Sequence, residues 1–274
     1  MIAINHPVNA TDQLARERGR QEASRMAANW LRLVGAELGR AVEVDAVRDA
    51  FRGDERRAYD DADTRLRQLR ASLLDTAASQ EPADGDLLLD VARRIDRLIG
   101  VVVEEAVHRA AVERLRAIAD DLRALPSVPR AILGALENER RLTARRAEEA
   151  ASDAHEAERR LARSLDDLAL YTQDPVDARA TEASYSAAHI LRLLAEARGR
   201  EAWGSVASRL TGAIRGDIAR TSWAASPGGT ALHERLGAWA RAAEAEADAA
   251  AVEAARLGDL LPEPLAVLGL RSPD

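Results

Sequence analysis

The stretch LLLDVARRIDRLIGVVVEEAVHRAAVERLRAIADDLRAL, residues 87–125, decides the fold. Leu87, Leu88, Leu89, Val91, Ile95, Leu98, Ile99, Val102, Val103, Val107, Val112, Leu115, Ile118 and Leu122 recur mostly in steps of three and four. That spacing gathers side chains on one side of a helix and scatters them over both faces of a strand. The stripe is wide, so this helix is expected at the centre, with the other segments laid against it. At about 1.5 Å per residue it would reach roughly 60 Å, which suits a rod-like bundle better than a compact globule.

The neighbouring segments carry narrower stripes. Residues 1–10 read as an irregular lead-in, after which Thr11 or Asn9 caps a helix whose apolar face runs through Ala23, Ala27, Trp30, Val34, Leu38 and Ala41. Gly53 interrupts this face, and a second stripe, from Tyr59 through Leu66, Leu69 and Leu73, runs to about Ala78. QEPADGD, residues 80–86, reads as a loop, with Asp84 or Asp86 capping the central helix. Pro126 and Pro129 bracket a short connection to a third helix, about Pro129 to Thr172, which makes the two antiparallel neighbours. Along its length lie an alanine seam, Ala147, Ala151 and Ala154, then Leu161, Leu165 and Leu168. Charges four apart (Glu137 with Arg141, Arg145 with Glu149, Glu156 with Arg160) are placed to pair on its outer face.

After Asp174 and Pro175 a fourth helix is expected to about Ser222. It contains Gly199, Gly204, Gly212 and Gly216, which indicate a bend, a close approach of another backbone, or two helices in place of one. ASPGG, residues 225–229, reads as a loop with Thr230 capping a fifth helix. Its seam is the cleanest in the chain: Leu232, Leu236, Trp239, Ala243, Ala247, Ala250, Ala254, Leu257 and Leu261. Pro262 and Pro264 end it. The tail, residues 262–274, carries the apolar patch LAVLGL and is expected to fold back or dock elsewhere. The predicted fold is all-α: an elongated antiparallel bundle of five or six long helices with alanine-rich, coiled-coil-like seams, forming one unit over residues 1–274.

Alanine makes up about a fifth of the 274 residues and aromatics 3%, so the core must be built from many small contacts along long seams. The formal charge is -7. No general attraction to a phosphate backbone follows, and a nucleic-acid role would need a local basic face. Lysine is absent, so all 39 basic residues are arginine, a bias expected of a GC-rich bacterial genome or of selection against lysine modification. Without lysine there is no Walker-type phosphate loop, Schiff base or kinase-type lysine, and no GxGxxG, GxSxG or HExxH pattern is present. Cysteine is absent too, which removes disulfides and thiolate metal sites. No secretory signal is visible in residues 1–11. The longest central apolar run, Leu98 to Val103, falls far short of the roughly 20 residues of a membrane span. A cytoplasmic protein is expected.

The histidines, His6, His108, His155, His189 and His233, fall on different segments. Glu105 and His108 make one Glu-x-x-His spacing, the half-motif of carboxylate-bridged di-iron bundles, but the second half is missing. His108 therefore reads as a partly exposed histidine beside surface carboxylates, and no metal, cofactor or catalytic residue is expected. Tyr59 to Asp63 (YDDAD) has the acidic clustering of some magnesium sites but reads as a charged helix start. Trp30, Trp203, Trp223 and Trp239 read as core anchors.

Arginines cluster at Arg16, Arg18, Arg20 and Arg25, at Arg65, Arg67 and Arg70, and at Arg140, Arg141, Arg145 and Arg146. The last group is the candidate contact for nucleic acid or a partner. The functional expectation is a non-enzymatic assembly or scaffold protein whose long helical faces self-associate into a homo-oligomer or bind a protein partner. The alternatives are a nucleic-acid-associated protein using an arginine-rich helix face, and a membrane-surface or pore-forming protein using Leu98 to Val103 and the tail.

Overall fold

The computed structural model describes residues 11–26, 82–123, 130–172, 178–220, 222–225 and 227–270. Helix α1 occupies residues 11–26, α2 Pro82–Arg123, α3 Arg130–Thr172, α4 Ala180–Ala219, α5 Pro227–Leu260 and α6 Pro262–Val267. A 3-10 turn, Ser222–Ala225, precedes α5, and no strand occurs among the described residues. The fold is all-α, with its helices packed against one another. The lead-in, Trp30, the break at Gly53, the second stripe with its arginines and YDDAD, the connection at Pro126 to Pro129, and Asp174 with Pro175 lie outside the described residues.

Two helix starts differ from expectation for one reason. Helix α2 begins at Pro82, inside QEPADGD, and α5 begins at Pro227, inside ASPGG. Glycine, with aspartate in the first and serine in the second, gives both stretches the composition of loops. The first residue of a helix needs no N–H partner, however, and proline's fixed φ is already helical. Thr230 is consequently inside α5, where its hydroxyl donates to the Ala224 carbonyl at 3.4 Å.

Polar pairs across the seams set direction and register. Ser164 donates to Asp90 at 2.8 Å and Arg97 to Asp153 at 3.1 Å, so α2 and α3 run antiparallel. Thr181 bonds Asp166 and His189 bonds Glu158, which does the same for α3 and α4. Arg200 with Glu253 and Arg215 with His233 fix α4 against α5. Helix α1 runs alongside α2 in the same direction, since Arg18 reaches Asp96 and Arg25 reaches Glu104.

Among the described residues α4 packs against α2, α3, α5 and α6, while α2 packs against α3 and α4 and pairs with α1 through Arg18 with Asp96 and Glu22 with His108. The apolar width of residues 87–125 correctly marks deep burial: Val102 and Val103 are each 1% exposed. The close packing of α4 depends instead on small size. An added methyl at Gly204 would stand 2.5 Å from the Ala243 carbonyl oxygen, and one at Gly199 would stand 2.8 Å from the Ala106 methyl. Both glycines mark close backbone approach, and α4 is one continuous helix through all four of its interior glycines.

The α5 seam is buried at every expected position from Leu232 to Leu261. Beyond it the tail is not simply an end: Pro262–Val267 forms the short helix α6, which packs on α4 and α5. Gly269, with φ 72, closes it, because the left-handed turn lets Leu270 N–H donate to Leu265 O at 2.9 Å and Gly269 N–H to Ala266 O at 3.1 Å. Leu268 and Leu270 are thereby returned to the core.

Val103→Asp would place an unpaired carboxylate in this core and should cost about 3–5 kcal/mol of stability. Urea unfolding followed by circular dichroism reads the loss directly. The glycines of α4 should respond with opposite signs. Gly204→Ala meets the α5 backbone and should destabilise by about 1–3 kcal/mol. Gly212→Ala meets nothing within 4 Å and should stabilise by about 0.5–1 kcal/mol through helix propensity alone.

Candidate functional site

The α2 segment Glu104-Glu105-Ala106-Val107-His108-Arg109 carries the densest chemistry of the described residues. Successive helical residues point about 100° apart, so Glu104 and Glu105 turn toward different neighbours. Glu104 shares the α1 side with His108, one turn further on. Glu105 looks toward α4.

On the α1 side, His108 is wholly buried, at 0% exposure, and its Nε2 lies 2.8 Å from Glu22 Oε1. The same Glu22 oxygen accepts from Arg25 Nη2 at 2.8 Å, and Arg25 also reaches Glu104 at 3.9 Å. His108 Nδ1 is buried with no hydrogen-bond partner. Burial pushes the Glu22 carboxyl up, but hydrogen bonds from His108 and Arg25, joined by their charges, hold it below its ordinary 4.5. This corrects the expectation of a partly exposed histidine beside surface carboxylates. Glu105 too is buried, and the carboxylate that shares His108's surroundings on α2 is Glu104. The four-residue spacing of Glu104 and His108 was readable in the sequence. Glu22 was not, because only the docking of α1 brings it there.

On the α4 side, Glu105 pairs with Arg109 at 2.6 Å and faces Arg192 at 4.0 Å. Arg192 donates to Glu158 at 2.8 Å, and His189 Nδ1 lies 2.8 Å from the other Glu158 oxygen. Partial burial raises the Glu158 carboxyl, yet Arg192 first and His189 second hold it below 4.5 through their hydrogen bonds and charges. Beside this chain of charges a groove of about 580 Å³ runs between α2, α3 and α4. Its floor is made of small residues, Ala106, Ala110, Ala144, Ala147 and Ala151, because the helices carry their alanine seams there. Its rim carries Glu105, Glu113, Glu148 and Glu196 against Arg109 and Arg200. Arg109 is engaged by Glu105 and Arg200 by Glu253 of α5, which leaves the groove an acidic excess.

The candidate arginines of α3 are not brought together as one free basic patch. Arg140 donates twice to Glu137, at 2.9 and 2.8 Å, and Arg141 donates to the same carboxylate at 3.0 Å. The Arg140 hydrogen bond, against a smaller penalty from burial and aided by Arg141, pulls Glu137 from 4.5 to about 2. Arg145 and Arg146 stand exposed on the same helix. Further along, Glu156 pairs with Arg160 at 2.7 Å, as its spacing predicts, and also with Arg159. Trp203 is buried, and buried Trp239 donates to Asp121 at 2.5 Å, so both are core anchors. No helix among the described residues is long and apolar enough to cross a membrane.

The Glu158 contacts give a pH dependence of known sign. A carboxylate whose folded pKa is depressed stabilises fully above its unfolded value and loses that contribution as pH falls through the folded one. Glu158→Gln should therefore lower the urea midpoint near neutral pH, and its deficit relative to the native chain should shrink steadily as pH falls below the ordinary 4.5. A deficit constant with pH would mean that shape, and not charge, is what Glu158 contributes.

Comparison of the chain with protein-family models, with curated proteins and with solved structures finds no match, so the reading of this site rests on its own geometry.

Proposed function

We propose that this chain is a non-enzymatic helical assembly protein that pairs with a second copy of itself through the groove between α2, α3 and α4. The observation that carries this reading is an alanine-floored groove with an acidic rim lying beside exposed arginine on the same helix. Alanine floors admit another helix at close range. The carboxylates Glu113 and Glu148 then call for a basic side chain. At about 100° per residue, Arg145 stands on the shoulder of the α3 stripe formed by Ala144, Ala147, Glu148 and Ala151. A two-fold arrangement that sets α3 against its copy brings Arg145 of each chain toward the acidic rim of the other, as a self-complementary interface requires.

Two observations weigh for protein over other partners. Arginines are interleaved with carboxylates on α3, which weakens attraction to a phosphate backbone. The apolar run Leu98, Ile99, Val101, Val102 and Val103, and the tail residues Leu268 and Leu270, are covered by the bundle and are not offered to a lipid surface.

Light scattering over a concentration series tests the proposal. The chain should approach twice its monomer mass, and Glu148→Arg should weaken pairing by about tenfold, or about 1.4 kcal/mol. Arg145→Glu combined with Glu148→Arg should restore it. A monomer mass over the whole soluble range would overturn the reading.

A further inference from the structure

We propose that Glu22, Glu104 and His108 form a site for a divalent transition-metal ion of the zinc type between α1 and α2, with Arg25 occupying the cation's position in the metal-free protein. One potential ligand atom from each of the three residues lies within 4.8 Å of the others. Bonds of about 2.0–2.2 Å to such an ion bring its ligands to roughly 3.2–3.6 Å of one another. Glu22 and His108 are already closer than that, at 2.8 Å. On binding, that pair opens by about half an ångström and Glu104, whose side chain is 42% exposed, turns inward.

The donor set selects the kind of ion. One imidazole nitrogen with two carboxylates suits zinc and its first-row neighbours, whereas calcium takes six to eight oxygens. Three protein ligands leave a fourth position for water, on the side where half-exposed Arg25 stands.

His108 supplies a second line of support. It is a wholly buried imidazole whose hydrogen-bonding nitrogen, Nε2, is aimed into the carboxylate pair, while Nδ1 has no partner. As a packing residue it is a costly choice, since burying an imidazole outright is penalised where an apolar side chain would not be. As a ligand its placement is the useful one, because Nε2 sits beside two carboxylates that need a positive charge. Arg25 shows that need directly, reaching Glu22 at 2.8 Å and Glu104 at 3.9 Å from a flexible stem. Metal binding displaces the guanidinium and takes the Nε2 lone pair, the imidazole then carrying its single proton on Nδ1, and leaves α1 and α2 joined through the ion.

The test is zinc titration of the chelator-treated full chain by calorimetry, with cobalt(II) absorption as a second readout. One ion per chain is expected, with cobalt bands of low-symmetry nitrogen and oxygen coordination. Arg25→Ala should tighten binding by about tenfold, because the built-in competitor is gone. Glu104→Gln, at a half-exposed position that should fold normally, should weaken binding by about tenfold or more, and His108→Gln should abolish the cobalt bands. No binding by either the native chain or Arg25→Ala, or binding unchanged in Glu104→Gln, would overturn the site and leave Glu22 and His108 as a hydrogen-bonded clamp only. None of the three ligands lines the groove, so this result and the self-association result are read independently.

Discussion

At Gly204 and Gly199 the backbone of α4 comes so near to α5 and to α2 that neither position has room for a methyl group. This closeness is what an alanine-rich chain must achieve in order to fold. Each alanine removes little apolar area from water, and dispersion falls away within a fraction of an ångström, so wide helix spacing would leave the seams nearly without adhesion. Close axes turn many small side chains into continuous contact. Helix α4 carries small residues along its flanks accordingly: Ala187, Ala188, Ala195, Ala197 and Ala202 are buried beside the two glycines.

Closeness alone does not choose a register. Along an alanine seam, sliding one helix by a turn replaces one methyl by another at little cost. The described part of α1 contributes few large apolar side chains, Leu14 and Met26 among them, and it is held instead by charge. Buried Arg198 of α4 donates to Asp12 at 2.5 and 3.0 Å and to Glu201 at 2.6 Å. Burial works against its charge, yet the hydrogen bonds and charges of these partners raise its pKa above the ordinary arginine value. A shifted α1 would leave that guanidinium without Asp12 and would separate His108 from Glu22. Such penalties for broken pairs are much larger than the net gain from making them. The buried polar groups act chiefly as register pins.

The difference in scale between seams and pins explains what could be read from the sequence. The α5 seam was legible residue by residue, and the burial of Val102 and Val103 followed from stripe width, because both are properties of one helix seen along its own axis. Pro82 and Pro227 were hidden by loop-like composition around them. His108 was placed at the surface because its one visible pattern, the spacing from Glu105, joined it to a residue that turns toward α4. Glu22 and the groove have no local signature at all, being made by the docking of helices far apart in sequence.

One turn of α2 serves both surfaces of the site, and helical geometry keeps them apart. Adjacent Glu104 and Glu105 diverge, the first toward α1 and the second toward the charges of α3 and α4. The groove is built from α2, α3 and α4, and α1 contributes none of its lining. Gly199 fixes the spacing of α2 and α4 where the two surfaces meet, with Ala106 and the Val103 backbone as its immediate neighbours. A change in what binds Glu22 and His108 therefore acts on how firmly α1 is held.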